Sequence, residues 1–230
     1  MTGLNAVAIV PARAGSKGLP GKNVRPLLGK PLVGWTLDAA LAAGRVARVV
    51  VTTDDPVVAE IARTRGAEVV DRPPELAGDN ASIVEATLHA AAAAGLAEDA
   101  VITLLQPTSP LRAAADVDAA LALYEEGGGA GAVMSVCETD HHPLKALLVD
   151  EAGLMNPVGG RPETLSAARQ TLPRAYRQNG AVYVIRVSEL AARRSFFAPP
   201  CRPYPMPAER SVDIDSLADF ARCEALLSGA

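Results

Sequence analysis

The chain has 230 residues, 49% apolar and 21% charged, which excludes disorder and leads us to expect one α/β domain with at most a small appendage. Aromatic residues make up only 3%, so burial must come from many small aliphatic side chains packed between helices and a sheet. A net charge of −4 gives no general attraction to nucleic acid or an anionic membrane, and Cys137, Cys201 and Cys223, far apart in sequence, suggest neither a disulfide framework nor a zinc site.

Residues 5–10 are an apolar run closed by Pro11, the pattern of a buried first strand followed by a glycine-rich loop. No basic stretch followed by a long apolar run opens the chain, and no apolar run reaches the roughly 18 residues a membrane span needs. A cytoplasmic protein without membrane contact is therefore expected. Residues 31–43 carry helical spacing through Leu32, Trp35, Leu37 and Leu41 before Gly44. A β-branched strand at 48–53, a helix at 56–65 stopped by Gly66 and a strand at 67–71 continue a βαβ alternation, which predicts a parallel sheet. Ser82 with Glu85 has the spacing of a capping box and opens a helix to about residue 94. After a strand at 101–105, the prolines of Gln106-Pro107-Thr108-Ser109-Pro110 forbid regular structure. A helix at 116–126 ends in glycines before a strand at 132–137.

Residues 139–177 lose this pattern and read as an insertion: an active-site cover, a dimer arm or a plain surface loop. Strand character resumes at 181–187, followed by a short helix at 188–194, an alternating strand at 211–215 and a C-terminal helix at 216–227. The expected fold is a single doubly wound, mostly parallel, Rossmann-like α/β domain over 1–230, with 139–177 inserted.

The chemistry concentrates after the first strand. Arg13, Lys17, Lys22, Arg25 and Lys30 stand there without an acid, interleaved with Gly15, Gly18 and Gly21. Glycines let the backbone approach a polyphosphate and aim N–H groups at it while the cations neutralise its charge. Gly15 and Gly21 are six apart and Asn23 follows Lys22, so this is not the G-x-x-x-x-G-K-[ST] loop of P-loop NTPases; nor is it G-x-G-x-x-G, which disfavours a dinucleotide site. At the other end of the chain, Asp213 and Asp215 are two apart, so on a strand both carboxylates share one face while Val212 and Ile214 share the other. Two such carboxylates suit one Mg²⁺, and a solvent-facing acidic pair is the plainer alternative.

Ile9-Val10-Pro11-Ala12-Arg13-Ala14-Gly15-Ser16-Lys17-Gly18-Leu19-Pro20-Gly21-Lys22-Asn23 closely resembles the signature loop of the acylneuraminate cytidylyltransferases, the CMP-sialic acid synthetases. The resemblance continues through Leu104-Leu105-Gln106-Pro107-Thr108-Ser109-Pro110-Leu111-Arg112, His142-Pro143-Leu144-Lys145, Tyr176-Arg177-Gln178-Asn179-Gly180-Ala181-Val182-Tyr183 and Ser211-Val212-Asp213-Ile214-Asp215. It implies transfer of CMP from CTP to a nine-carbon 2-keto sugar acid, of N-acylneuraminate or legionaminate type, with release of pyrophosphate, Mg²⁺ as cofactor and a homodimer. The Ser16-Lys17-Gly18 version of the loop points away from synthetases for the eight-carbon acid Kdo. One departure is Ala14, where many relatives carry glycine and where alanine is restrictive if a positive φ is needed.

The roles implied are residue by residue. Arg13, Lys17 and Lys22 stabilise phosphate charge, and Asp213 and Asp215 hold the metal. Ala12, Gly15, Ser16, Asn23, Arg72 and Ser82 contact the nucleotide, Ser82 being equally well explained as a helix cap. Gln106, Thr108 and Ser109 contact the sugar acid. Lys145, Arg169 and Arg177 supply cations for its carboxylate or the phosphates, some from a partner subunit, against the alternative of solvated surface. Tyr183, Phe196 and Phe197 line a pocket for the acyl and glycerol-like groups, with core packing as the rival. The group that accepts the hydroxyl proton stays open among metal-bound hydroxide, a carboxylate of the pair and the substrate's own carboxylate. The rival functions are a cytidylyltransferase for Kdo or a phosphonate, and a non-catalytic nucleotide-binding protein.

Overall fold

The computed structural model describes residues 5–15 and 18–229. Strand β1 (Ala6–Pro11) is followed by the basic loop, a short ladder of β2 (Pro26–Leu27) and β3 (Lys30–Pro31), and helix α1 (Leu32–Ala42). Then come β4 (Val46–Thr53), α2 (Pro56–Thr64), β5 (Glu68–Asp71), α3 (Ile83–Ala93), β6 (Val101–Leu104), α4 (Ala114–Glu126) and β7 (Ala132–Glu138). The insertion holds β8 (Leu147–Val149), β9 (Met155–Pro157) and one helical turn, α5 (Glu163–Ser166). The chain finishes with β10 (Tyr176–Arg186), α6 (Val187–Arg193), β11 (Cys201–Pro205) and α7 (Leu217–Ser228).

The main sheet has the order β11-β7-β10-β6-β1-β4-β5. β1 pairs parallel with β4 and β6, and β4 with β5, as the βαβ alternation predicts. β1 is buried at every position, which is why it reads as a continuous apolar run rather than an alternating one. β10 runs antiparallel between β6 and β7, and β11 is parallel to β7. Among the described residues no helix is long and apolar enough to cross a membrane.

Each face of the sheet carries its own core. Val33, Leu37, Leu121 and Tyr124 belong to one, and Ile9, Ile102, Leu104, Ile185 and Leu190 to the other. A smaller third cluster gathers Leu19, Leu27 and Leu32 from the amino-terminal region with Val212, Ile214, Phe220 and Cys223 from the end of the chain.

Four local expectations change. Ser82 caps α3 by accepting the Val84 and Glu85 N–H groups, but the Glu85 carboxylate pairs with Arg194 instead of closing the capping box. β10 begins at Tyr176 rather than 181, because residues 176–178 pair with β7 ahead of a register shift spanning Asn179 and Gly180, the latter at φ +72°. β11 adds a strand to the expected elements, and it accommodates Pro203 and Pro205 because it lies at the sheet edge. Residues 211–215 do not form a strand: Ile214 N–H binds the Thr108 carbonyl at 2.9 Å, and Val212 and Ile214 alternate inward against the third cluster rather than against a sheet.

Asp116, 3% exposed, fastens three elements at the start of α4. Its carboxylate accepts the Ala113 N–H at 2.8 Å, Arg210 at 2.6 Å and the Tyr204 hydroxyl at 3.0 Å. Asp116→Ala strips these bonds from the helix start and from the chain entering residues 211–215. It should lower the unfolding free energy by about 2–4 kcal/mol, read from urea denaturation midpoints.

Candidate active site

The carboxyl ends of β1, β4, β5 and β6 meet at one rim, the edge where open α/β sheets bind ligands. A cleft of about 350 Å³ opens there. Its walls bring together Arg13, Gly15, Gly18, Lys22 and Asn23 of the basic loop, Arg72 after β5, Asp79 and Ser82 before α3, Gln106 and Thr108 after β6, and Asp215.

The loop is shaped by specific contacts. Gly21 at φ +64° starts a 3-10 turn over Lys22–Val24, and Asn23 Nδ2 donates to the Arg13 carbonyl at 2.9 Å. Gly18 packs so closely on the 211–215 segment that a Cβ there would lie 2.5 Å from the Asp215 carbonyl oxygen. Lys22 Nζ donates to the Ile214 carbonyl at 2.6 Å and lies 3.1 Å from Asp215 Oδ1. The amino-terminal cations and the distant aspartates therefore converge. Ala14 does not adopt a positive φ, so the backbone there places no special demand that alanine fails to meet.

Arg13 donates to the Gly78 carbonyl at 2.6 Å and pairs with Asp79 at 3.3 Å. Arg72 is 7% exposed and held by the Thr52 carbonyl at 2.8 Å; burial lowers its pKa, Asp54 pulls it back up and Arg13 adds to the lowering. Arg112, buried beneath the turn after β6, grips the Gln106 and Ala181 carbonyls and the Thr36 hydroxyl, and burial pushes its pKa down to about 9.

Asp213 keeps solvent contact, yet the protein around it pushes its carboxyl above the ordinary range, with repulsion from Asp215 adding. Thr108, Lys22 and Arg177 oppose that rise. The Thr108 hydroxyl oxygen is itself buried without a full hydrogen bond. Among the described residues no group of three or more His, Cys, Asp or Glu could hold a metal by itself. Two hard carboxylates near an under-used hydroxyl suit an ion that completes its shell with water and phosphate oxygens, not a zinc centre.

Several residues assigned from the sequence are placed elsewhere. Ser16 and Lys17 lie outside the described residues. Arg25 sits over the Phe220 ring, and Lys30 over Trp35 while paired with Asp38 at 2.6 Å, so neither joins the cleft. Ala12 is buried, with its N–H on the Thr52 carbonyl and its carbonyl accepting the Thr53 hydroxyl. Ser109 is buried and donates to the Asn179 carbonyl at 3.0 Å, which takes its hydroxyl away from the rim. Tyr183 and Phe196 are core residues, ring centroids 5.7 Å apart; the Tyr183 hydroxyl donates to Gln178, and burial pushes its pKa up to about 12. Phe197 is 61% exposed and lines a separate apolar hollow of about 260 Å³ with Met134, Val136, Gln178 and Cys201. Arg177 points to the Ser211 carbonyl at 3.4 Å. Lys145 and Arg169 line a hollow of the insertion with His141 and His142, away from the cleft.

Sequence reasoning missed Asp54, whose carboxylate accepts the Ala14 N–H at 2.8 Å, and Asp79. Asp54 directly follows β4 at the ligand rim, which was the available signal.

A family model described as cytidylyltransferase matches residues 7–188. The N-acylneuraminate cytidylyltransferase of Streptococcus agalactiae serotype V is 34% identical over 220 residues, covering 94% of this chain and 52% of its own length. The CMP-N,N'-diacetyllegionaminic acid synthase of Legionella pneumophila is 32% identical, with 97% of each chain covered. The present chain thus spans about half the length of the streptococcal relative and nearly all of the Legionella one. Among solved structures, a CMP:2-keto-3-deoxy-manno-octonic acid synthetase complexed with CTP superposes with a TM-score of 0.73 over 98% of this chain and 99% of its own. At 19% identity that likeness is one of fold.

Gly18→Ala tests the convergence directly, since the added methyl must push the basic loop off Asp215. Calorimetric titration with inorganic tripolyphosphate should show binding weakened about tenfold, roughly 1.4 kcal/mol. Unchanged binding would show that this contact does not set the anion site.

Proposed function

The chain belongs to the cytidylyltransferase family, in its acylneuraminate group, and from that premise we propose that it transfers CMP from CTP to the anomeric hydroxyl of a nine-carbon 2-keto sugar acid, of N-acylneuraminate or legionaminate type, releasing pyrophosphate. The observation that carries the reading is Lys22 reaching the Ile214 carbonyl and Asp215 across one cleft. The near full-length Legionella relative supports an acceptor of this size.

In this reading the anomeric oxygen attacks the α-phosphorus in line and pyrophosphate leaves. Lys22 and Arg13 lie where charge grows on the phosphate oxygens, and preorganised cations there favour the transition state over the ground state. Arg13 exchanges its bonds to Gly78 and Asp79 for phosphate. Asn23, Arg72 and Ser82 border the same space and hold the nucleotide. Asp213 and Asp215 hold Mg²⁺, which when bound draws negative charge from the phosphates. Asp215 stands in the cleft wall, and Asp213 is kept beside it by the alternation of the segment. Gln106 and Thr108, which stand in the cleft wall, orient the acceptor. The need for CTP fits a cytoplasmic location.

We assign the insertion to a homodimer contact. Leu148, Val149, Leu154 and Met155 are 63–69% exposed along the β8–β9 hairpin, more apolar surface than a small lone hairpin ordinarily leaves in water. Lys145 and Arg169 then serve a neighbouring subunit's cleft rather than their own.

Pyrophosphate release from CTP and Mg²⁺ should occur with N-acetylneuraminate or N,N'-diacetyllegionaminate and not with Kdo or a phosphonate. Turnover with Kdo or a phosphonate alone would overturn the acceptor assignment, and calorimetric CTP binding without any turnover would favour a silent binding protein. Lys22→Met and Asp213→Asn should each lower kcat/KM by about 10²–10³, roughly 3–4 kcal/mol. Light scattering should give twice the 23.7 kDa chain mass, and Leu148→Glu should return the monomer; a monomeric parent would remove the shared-site role.

A further inference from the structure

Residues 211–215 carry both acidic side chains, yet they have no sheet ladder to fix their height above the rim. Their far end is restrained by Ile214 through Thr108 and Lys22. Their near end, Ser211, is 1% exposed and meets Asn179, also 1% exposed, at the register break of β10.

The hydrogens around Asn179 have one consistent assignment. The Val182 N–H donates to Ser135 Oγ at 2.7 Å, so the Ser135 hydroxyl donates onward to Asn179 Oδ1 at 2.6 Å. The Pro207 carbonyl only accepts, so Ser211 Oγ gives its hydrogen there at 2.9 Å and must itself accept from Asn179 Nδ2, also at 2.9 Å. The Asn179 carbonyl accepts the Ser109 hydroxyl at 3.0 Å, next to Thr108. One side chain and its backbone thus join β7, the turn after β6 and the start of the aspartate segment. An amide is required: a carboxylate would set a second acceptor against the Ser211 oxygen in a buried place.

We propose that Asn179 is a positioning residue, which acts through Ser211 to set where Asp213 and Asp215 stand relative to Thr108 and so tunes divalent-ion binding in the CTP complex. This rests on the function proposed above. Supports of metal ligands typically change metal affinity by about 10–100-fold when removed.

The test uses Mn²⁺ as a spin probe, with free ion counted by electron paramagnetic resonance in titrations of the full chain with saturating CTP. Asn179→Asp and Ser211→Ala should each raise the Mn²⁺ concentration for half-saturation by about tenfold. Calorimetric CTP binding without metal should stay within twofold. Tyr124→Phe, which loses a hydrogen bond to the Gly129 carbonyl far from the segment, should lower the melting temperature and leave Mn²⁺ binding unchanged. If Asn179→Asp does not fold, Ser211→Ala alone decides. Folded variants with parental Mn²⁺ affinity overturn the proposal while leaving the reaction standing. If Asp213→Asn binds Mn²⁺ and turns over like the parent, the functional reading falls, and the positioning role with it.

Discussion

Lys22 reaches across 192 residues of sequence to the Ile214 carbonyl, so both ends of the chain meet at one cleft. The ion pair with Asp215 does not hold the two ends of the chain together. Asp215 is 78% exposed, and pairs of that kind contribute about 0–1 kcal/mol. Burial does more: Leu19, Leu27 and Leu32 enclose Val212, Ile214 and Phe220, at about 1.5–3 kcal/mol for each large side chain removed from water. The apolar residues dock the segment, and its alternation then leaves the two carboxylates outward beside the lysine. Charge placement here is a product of packing. A polar substitution at Ile214 would disturb the chemistry without touching a charged group.

In the proposed reaction the same cleft keeps its cations ready for a polyanion. Arg13 and Lys22 already have oxygen partners, the Gly78 carbonyl and Asp79 for one, Ile214 and Asp215 for the other. Carbonyls and partly exposed carboxylates fix the side chains in place yet are weaker partners than a polyphosphate, whose charge-assisted bonds replace them at little cost. Arg72 differs, because it is sunk against Thr52 and balanced by Asp54, so it moves little and serves as fixed wall.

Most of the sheet was legible because its central strands are buried on both sides and read as apolar runs, with helices stopped where a glycine takes a positive φ, as at Gly66. The unread parts have physical causes. Period-2 alternation at 211–215 reports a chain with one face buried, and a satellite core meets that condition as well as a sheet does. The prolines of β11 hid a strand that only an edge position permits. Composition gave the sign of the basic loop but not its azimuth: Arg25 and Lys30 face aromatic rings while Arg13 and Lys22 face the cleft. Three aromatics close in number take different places, since Tyr183 and Phe196 are buried in the core and Phe197 is exposed.

Topology explains why residues from so many parts of the sequence reach one rim. β1, β4, β5, β6 and β7 run the same way, so their carboxyl ends lie on that edge. β10 runs backwards between β6 and β7, and its beginning rather than its end comes to the rim, bringing Arg177, Gln178 and Asn179 beside the turn after β6. β11, parallel to β7, then releases the chain at the same edge, and Asp116 catches Arg210 just before the aspartates. Were β10 parallel, Asn179 would start from the opposite edge and Ser211 would have no partner on the sheet. The reversed strand is thus what lets the last part of the chain be held against the first.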